Sequence, residues 1–347
     1  VKAAVKRMFD QIYLRRDRNF GNAREARKMF DETVENQSHR LVEEMGKHTL
    51  TDADMYTIKA SDLPSNKSQA ARPLDEVLND MDEFVGMRSV KNLIRRLAVQ
   101  SMFMKQRSAS GIGNVQQIVM NFVLTGNPGT GKTSVSRLMG ELLQSMDILP
   151  TKKVIETSRA TMVGKYMGET PKLVNKLCDQ ALGGVLFIDE AYNICNGDDQ
   201  YGKEAVDTLM KRMEDDRGKF VVIVAGYKDR MEMFLNTNPG LASRFTHRLH
   251  IDDYNEDELV SIFKKMAAKQ DYELSQDAEF KLMGEVCRMV MNKRESFGNA
   301  REMRNLLDTT IGRLSERVAS MPPQSITADT YKIITAEDIP SGGGGSF

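Results

Sequence analysis

Residues 123–133 read VLTGNPGTGKT, and this stretch decides the fold. Gly126, Gly131, Lys132 and Thr133 complete the pattern G-x-x-x-x-G-K-[ST], in which the backbone N–H groups of a glycine-rich loop wrap a phosphate. The apolar run 118–124 predicts a buried strand before the loop, and apolar residues at helical spacing over 134–146 predict a helix after it. This strand-to-helix context favours phosphate binding over a plain glycine-rich turn, because the helix start adds the positive end of its dipole.

The loop supplies candidate nucleotide and metal ligands. We expect Lys132 to reach the β- and γ-phosphates and Thr133 to hold Mg²⁺ through its hydroxyl. The other loop residues expected to contact the nucleotide are Asn127, Pro128, Gly129, Thr130, Gly131 and Ser134.

A second apolar stretch, GVLFIDE at residues 184–190, predicts a buried parallel strand that ends in two carboxylates. Ligands bind outside the carboxyl ends of such strands. We therefore expect Asp189 to join the Mg²⁺ shell and Glu190 to act as the base that polarises the attacking water. The alternative is a strand-end pair that only faces solvent.

Further strands are predicted over 153–156, 219–226 and 247–251, with helical patterns between them. This alternation predicts an α/β fold with a parallel sheet. After residue 254 the strands stop, and three helical patterns over 256–269, 278–292 and 299–319 predict a small all-α domain. Residues 108–114 are rich in Gly and Ser and predict a loop.

The composition is that of an ordinary globular chain. Of its 347 residues, 49 are basic and 49 acidic, and a net charge of zero disfavours a dedicated nucleic-acid binder. No apolar run reaches the roughly 18 residues of a membrane span. The three cysteines are far apart, so neither a disulfide framework nor a zinc site is indicated. We expect a cytoplasmic protein with no membrane partner.

The start of the chain repeats its end. Residues 20–27, FGNAREAR, match residues 297–304, FGNAREMR, and residues 50–64 match residues 326–340 in the same order. The first copy has no phosphate loop before it in this sequence. We therefore expect residues 1–64 to be the truncated helical lid of an upstream module.

The expected organisation follows from these patterns. The segments are residues 1–64 as that partial lid, 65–72 as a linker, 73–254 as the large nucleotide-binding domain, 255–340 as its helical lid and 341–347 as a Gly/Ser tail or linker scar.

Taken together, the motifs resemble the AAA+ ATPases, which are P-loop NTPases, and within them the CbbX/CfxQ (sporulation stage V protein K-like) group. The resemblance covers residues 73–340. The phrases that carry it are GNPGTGKT at 126–133, VGKYMG at 163–168, FIDEAY at 187–192, VAGY at 224–227, NPGLASR at 238–244 and GNAR at 298–301.

The resemblance implies a role for each matching residue. Arg244 corresponds to the arginine finger that reaches a neighbouring subunit's nucleotide, and Arg301 to the sensor-2 arginine at the γ-phosphate. Arg24 is its match in the first copy. Many AAA+ proteins have a sensor-1 Asn where Tyr227 stands, and this group often lacks it. The Tyr227 hydroxyl is expected to orient the water in its place. The remaining implied roles are adenine contacts for Val85 and Gly86, and a substrate-gripping pore loop for Lys165, Tyr166 and Met167.

These expectations combine into a Mg²⁺-ATP-driven protein-remodelling motor that works as a ring, expected to be a hexamer, on a protein substrate. Three alternatives stay open. A nucleic-acid motor would need a basic, aromatic-lined groove. A small-molecule kinase would need no arginine acting in trans. An ATP-gated scaffold would assemble without pulling. A Tyr166 that packs inward would leave the pore loop a plain turn.

Overall fold

The computed structural model describes residues 1, 2, 5, 6, 8, 9, 21–45, 51–64, 71–110, 120–195, 199–293 and 297–341. Several expected features fall outside these residues. They are the start of the first predicted strand at 118–119, linker residues 65–70, loop residues 111–114, Phe20 of the first repeat copy and tail residues 342–347.

The first lid copy contains a long helix, α1 (Asn22–Met45), a short helix, α2 (Asp52–Tyr56), and a 3₁₀ turn at Ala60–Asp62. A buried ion pair joins α1 to the 3₁₀ turn, since Arg40 Nε lies 2.7 Å from Asp62 Oδ1. Arg317 Nε makes the matching contact with Asp338 Oδ1, at 2.8 Å, in the second copy. The two copies therefore share an internal contact as well as a sequence pattern.

The large domain alternates helices and strands. In chain order its elements are α3 (Leu74–Glu83), α4 (Arg88–Ala109), β1 (Phe122–Thr125), α5 (Lys132–Ser145), β2 (Val154–Thr157), α6 (Arg159–Met162), α7 (Glu169–Ala181), β3 (Val185–Ile188), α8 (Gln200–Asp215), β4 (Val221–Gly226), α9 (Lys228–Asn236), α10 (Pro239–Arg244) and β5 (His247–His250). A 3₁₀ turn at Ala191–Asn193 follows β3.

The five strands form one parallel sheet in the order β2-β3-β4-β1-β5. Alternate strand residues point to opposite faces. Phe122 and Phe187 pack with α3, α4 and α5 on one face, whereas Val123 and Leu186 pack with α7, α8 and α9 on the other. The expected parallel αβα sandwich is thereby confirmed.

The second lid follows β5. Its elements are α11 (Glu256–Ala268), β6 (Glu273–Leu274), α12 (Gln276–Met291), α13 (Ala300–Ser320), a 3₁₀ turn (Pro323–Ser325), α14 (Ala328–Lys332) and β7 (Ile333–Ile334). A separate apolar core, including Leu259, Phe263 and Met303, holds its helices together.

Two expectations need correction. The lid is not purely helical, because β6 and β7 form a two-residue parallel pair, which is too short to give an alternating pattern. Ser108 and Ala109 belong to α4 rather than to a loop, because the helix extends to Ala109.

Candidate functional site

A cavity of about 670 Å³ opens where the carboxyl ends of β1, β3 and β4 meet the second lid. This is where parallel α/β sheets bind ligands. The predicted site residues that line it are Val85, Pro128, Gly129, Gly131, Lys132, Thr133, Ser134, Asp189, Glu190, Tyr227 and Arg301. One cavity thus gathers residues from the phosphate loop, the acidic strand end, the sensor position and the lid.

The phosphate loop turns sharply before α5. Gly131 has φ +93°, and a Cβ there would lie 2.5 Å from Met87 Cε, so the position favours glycine. Lys132 begins α5, and its Nζ donates to the carbonyls of Gly126 and Asn127, each at 2.8 Å. The ammonium group is therefore held within the loop and keeps one N–H for a phosphate.

The charges around Lys132 are mixed. Burial lowers the pKa of its ammonium group, and the positive charge of Arg301 adds to this effect, while Asp189 and Glu190 oppose it. An anion at Lys132 and Arg301 would relieve this repulsion. The electrostatics of the cavity therefore favour a ligand with several negative charges.

Glu190, the second carboxylate after β3, is held by hydrogen bonds to its neighbours. Glu190 has φ +47°, a left-handed conformation that is uncommon outside glycine, and such conformations cluster at functional sites. Asn193 Nδ2 donates to Glu190 Oε2 at 3.0 Å, and the Glu190 N–H donates to Asp189 Oδ1 at 3.0 Å. Asn193 thus fixes the orientation of the candidate base, a contact that the motif alone did not indicate.

The residues present fit a magnesium ion. Thr133 supplies a hydroxyl oxygen and Asp189 a carboxylate oxygen on the same cavity wall. Mg²⁺ prefers such oxygen ligands, usually one or two protein groups together with phosphates and water. No cluster of three or more His, Cys, Asp or Glu suited to a metal occurs among the described residues, so a site made of protein ligands alone is not indicated.

Tyr227, at the end of β4, is held by two neighbours. The guanidinium carbon of Arg230 lies 5.5 Å from the centre of its ring and 5.2 Å from the ring of Tyr192. The two tyrosine rings are 6.0 Å apart. Burial, followed by the charge of Glu190, raises the pKa of Tyr192, so that ring stays neutral beside the carboxylate.

The lid contributes more cations than the sequence indicated. Arg304 lies one turn after Arg301 on α13. Lys265 lies in the last turn of α11, and Lys269 directly follows that helix. All four residues line the cavity. Their i, i+3 and i, i+4 spacings were visible in the sequence. The face of each helix that meets the cavity is set by lid packing, which local spacing does not reveal.

Part of the cavity lining is apolar. Val85, Met87, Ile262 and Met266 line the cavity and belong to one apolar cluster, so the lid supplies half of this apolar wall. Gly86 is outside the lining. It has φ +65°, and a Cβ there would lie 2.8 Å from Glu258 Oε1, so its place is the close contact between the large domain and the lid.

Asn127 and Thr130 also lie outside the cavity lining, and their side chains make hydrogen bonds within the protein. Thr130 Oγ1 donates to the Asn127 carbonyl at 2.8 Å. The Asn127 side chain donates to both oxygens of Asp253, at 3.0 and 3.1 Å. The structure thus gives both residues contacts within the protein, where direct nucleotide contacts had been expected.

Arg244 ends α10 and does not line its own chain's cavity. Its Nη1 donates to the Gly240 carbonyl at 2.8 Å, and its Nη2 lies 3.5 Å from Glu214 Oε2. The Nε is buried and has no hydrogen-bond partner among the described residues. The side chain is 30% exposed, so part of it faces solvent outside its own chain's nucleotide cavity.

The loop before α7 exposes its aromatic residue. Tyr166 is 75% exposed and Met167 92% exposed, so the inward-packed alternative for Tyr166 is wrong. Glu169 Oε2 accepts from the Lys165 N–H at 2.8 Å and from the Tyr166 N–H at 3.3 Å. The backbone of the loop is therefore held while its side chains extend into solvent.

Models of known families match both parts of the chain. The family model "ATPase family associated with various cellular activities (AAA)" matches residues 122–253. The model "AAA lid domain" matches both residues 1–73 and residues 255–344. No helix in the described part of the chain is long and apolar enough to cross a membrane.

Curated relatives match most of the chain. Stage V sporulation protein K of Bacillus subtilis (strain 168) is 36% identical over 291 residues, which cover 83% of this chain and 89% of that protein. The chloroplastic ribulose bisphosphate carboxylase/oxygenase activase of Cyanidioschyzon merolae is 37% identical over 270 residues, covering 77% and 91%. Protein CbbX of Cereibacter sphaeroides is 35% identical over 267 residues, covering 76% and 85%.

Proposed function

The chain belongs to the AAA+ ATPases, in the group of CbbX, CfxQ and stage V sporulation protein K, and we propose that it is a ring-forming motor that pulls on a protein substrate. Family membership carries ATP hydrolysis. The ring, the trans-acting arginine and the threading loop are our proposals.

The chemistry follows from the charges at the cavity. Lys132 and Arg301 would contact the γ-phosphate, and Thr133 and Asp189 would hold Mg²⁺, which would neutralise charge on the phosphate oxygens. Glu190, oriented by Asn193, takes a proton from the attacking water.

The observation that carries the ring proposal is the position of Arg244. It lies outside its own chain's cavity, at the end of α10, and its side chain is 30% exposed. An arginine supplied from another subunit to the transferred phosphate contributes roughly 10³–10⁵ to the rate in other NTPases. Catalysis then depends on assembly.

ATPase rate against protein concentration tests this proposal. The specific activity of the wild type should rise cooperatively, and Arg244→Ala should abolish that rise. Arg313→Ala removes an equal charge from an exposed position on α13 and serves as the control. A flat specific activity that Arg244→Ala does not change would mean a monomeric ATPase and would refute the ring.

Threading has its own support in the exposure of Tyr166 and Met167. Casein, an unfolded protein, should stimulate the ATPase of the wild type and of Tyr166→Phe, since both have an aromatic side chain at position 166. Tyr166→Ala should lose the stimulation, and Tyr331→Ala, at an exposed lid position, should keep it. Equal stimulation of Tyr166→Ala and the wild type would contradict threading.

We also propose that residues 1–64 are the lid of an upstream module. The repeated Arg–Asp pair and the match of the lid model to residues 1–73 support this. Arg24 then serves a different nucleotide from Arg301. We expect Arg301→Ala to lower the ATPase rate of this chain and Arg24→Ala to leave it unchanged; equal losses would contradict the assignment.

A further inference from the structure

Asn299 is a buried residue at the point where the lid meets the phosphate loop. Its exposure is 0%, and its φ of +47° puts it in the left-handed region. It immediately precedes α13, the helix that carries Arg301 and Arg304. The sequence motif GNAR includes this residue, and the site described above assigns it no role.

The side chain of Asn299 bonds to three different segments. Its Nδ2 donates to the Pro128 carbonyl at 3.2 Å, to Asp253 Oδ1 at 2.9 Å and to the Phe297 carbonyl at 3.3 Å. Its Oδ1 accepts from the Tyr254 N–H at 3.1 Å. One amide therefore joins the phosphate loop, the hinge at residues 253–254 and the start of α13.

Asp253 extends this network in both directions. It accepts from Asn127 in the phosphate loop and from Lys293 Nζ, at 2.8 Å, in the lid. Although burial by itself raises the pKa of Asp253, the hydrogen bonds from Lys293, Asn299 and Asn127 lower it overall. The carboxylate is thus charged and saturated with partners, which makes its bonds stronger than neutral ones.

The network ends on the catalytic lysine. The Asn127 carbonyl accepts from Lys132 Nζ, while the Asn127 side chain is held by Asp253. Backbone contacts reinforce the connection: the Ala300 N–H donates to the Gly129 carbonyl at 3.3 Å, and the Tyr254 hydroxyl donates to the Thr130 carbonyl at 3.1 Å. Each of the residues 127–130 is therefore bonded to the hinge or to the lid.

We propose that Asn299, acting with Asp253, is the positioning residue that couples the orientation of the lid to the phosphate loop. A phosphate that binds Lys132 Nζ weakens the hydrogen bond from Nζ to the Asn127 carbonyl. Asn127 then shifts, and its bonds to Asp253, and from Asp253 to Asn299, transmit this shift to the start of α13. This inference rests on the proposed motor cycle, in which lid and large domain shift with the nucleotide. Because linkage is reciprocal, a lid that responds to the nucleotide also strengthens nucleotide binding.

The test combines a distance with an affinity. Nitroxide labels report the distance between the large domain and the lid. They are attached at Met233→Cys on α9 and Phe280→Cys on α12, positions that are 69% and 86% exposed. Cys195 and Cys287 are replaced by Ser in this background. ADP is the probe. In the wild type, ADP should shift the distance distribution. In Asn299→Ala the shift should vanish, and ADP should bind about tenfold more weakly, as expected for losing one hydrogen bond to a charged group.

Two further variants keep the proposal falsifiable if Asn299→Ala loosens the lid. Asp253→Asn preserves size and should reduce the shift without lowering the helix content. Asn22→Ala changes the matching residue of the first lid copy and should leave both the shift and the affinity as in the wild type.

The outcomes separate the inference from the function on which it rests. A wild-type shift that persists in folded Asn299→Ala and Asp253→Asn would overturn the coupling role alone. A wild type that binds no ADP, or that binds ADP with no shift, would overturn the nucleotide-driven cycle and the coupling role with it.

Discussion

Gly129→Ala should separate the lid from the phosphate loop without touching a charged group. Gly129 has φ +70°, and a Cβ there would lie 2.0 Å from the Gly298 carbonyl oxygen and 3.0 Å from the Arg301 nitrogen. Both atoms belong to the backbone, so no side-chain rotation relieves the contact. The lid must move away from the loop, and Arg301 moves with it.

The magnitude follows from the contacts that this movement breaks. The Ala300–Gly129 and Asn299–Pro128 hydrogen bonds are lost, each contributing about 1 kcal/mol. Their sum of about 2 kcal/mol corresponds to roughly a 30-fold lower population of the docked lid, since about 1.4 kcal/mol is one factor of ten. We expect kcat/KM for ATP to fall by about that factor. The left-handed conformation of Ala adds about 1–2 kcal/mol of folding cost.

Steady-state ATPase kinetics, with circular dichroism to establish folding, measure the effect. Gly312→Ala is the matched control, because that glycine lies within α13 and nothing is within 4 Å of its added Cβ. It should stabilise the helix by about 0.5–1 kcal/mol and leave kcat/KM unchanged. A folded Gly129→Ala enzyme within threefold of the wild type would refute the reasoning that a docked lid completes the site.

Further predictions concern the catalytic base and the lid. Glu190→Gln should lower kcat, measured by phosphate release, by about 10²-fold or more. ADP affinity, measured by calorimetry, should stay within threefold of the wild type. Retained turnover would exclude Glu190 as the base. Arg317→Ala should lower the free energy of unfolding of the lid by about 3–5 kcal/mol in urea titrations, because it leaves the buried Asp338 without its charged partner. A loss below about 0.5 kcal/mol would contradict this. Burial alone raises the pKa of Asp338, but its hydrogen bonds from Arg317 and Thr335 lower it, so the lid should lose stability as the pH falls below about 4. Asp338→Asn should show less of this acid dependence in thermal melts; an unchanged pH profile would assign it to other groups.

The sequence predicted the parallel sheet well, because the apolar runs of its strands are local patterns. The phosphate loop is a contiguous motif, and the apolar run before Asp189 needs burial on both faces. The pattern could not predict the left-handed backbone of Glu190 or its bond to Asn193, since these depend on the turn that follows β3.

The contacts between the lid and the phosphate loop were beyond sequence reasoning. Asn127, Asp253 and Asn299 are separated by 126 and 46 positions and meet only after the lid folds back. The motif predicts that Asn127 contacts the nucleotide, but it could not predict that the Asn127 side chain bonds to Asp253. Arg304 was missed for a related reason, since its approach to the cavity depends on how α13 packs against the loop.

Mixing two inactive variants tests whether one chain's Arg244 completes another chain's nucleotide site. Glu190→Gln chains have an intact arginine and a disabled base, whereas Arg244→Ala chains have the reverse. Each should be nearly inactive alone, and an equimolar mixture should regain ATPase activity well above the sum of the two, because mixed interfaces pair an intact base with an intact arginine. A mixture no more active than that sum, from chains shown to co-assemble, would contradict the account.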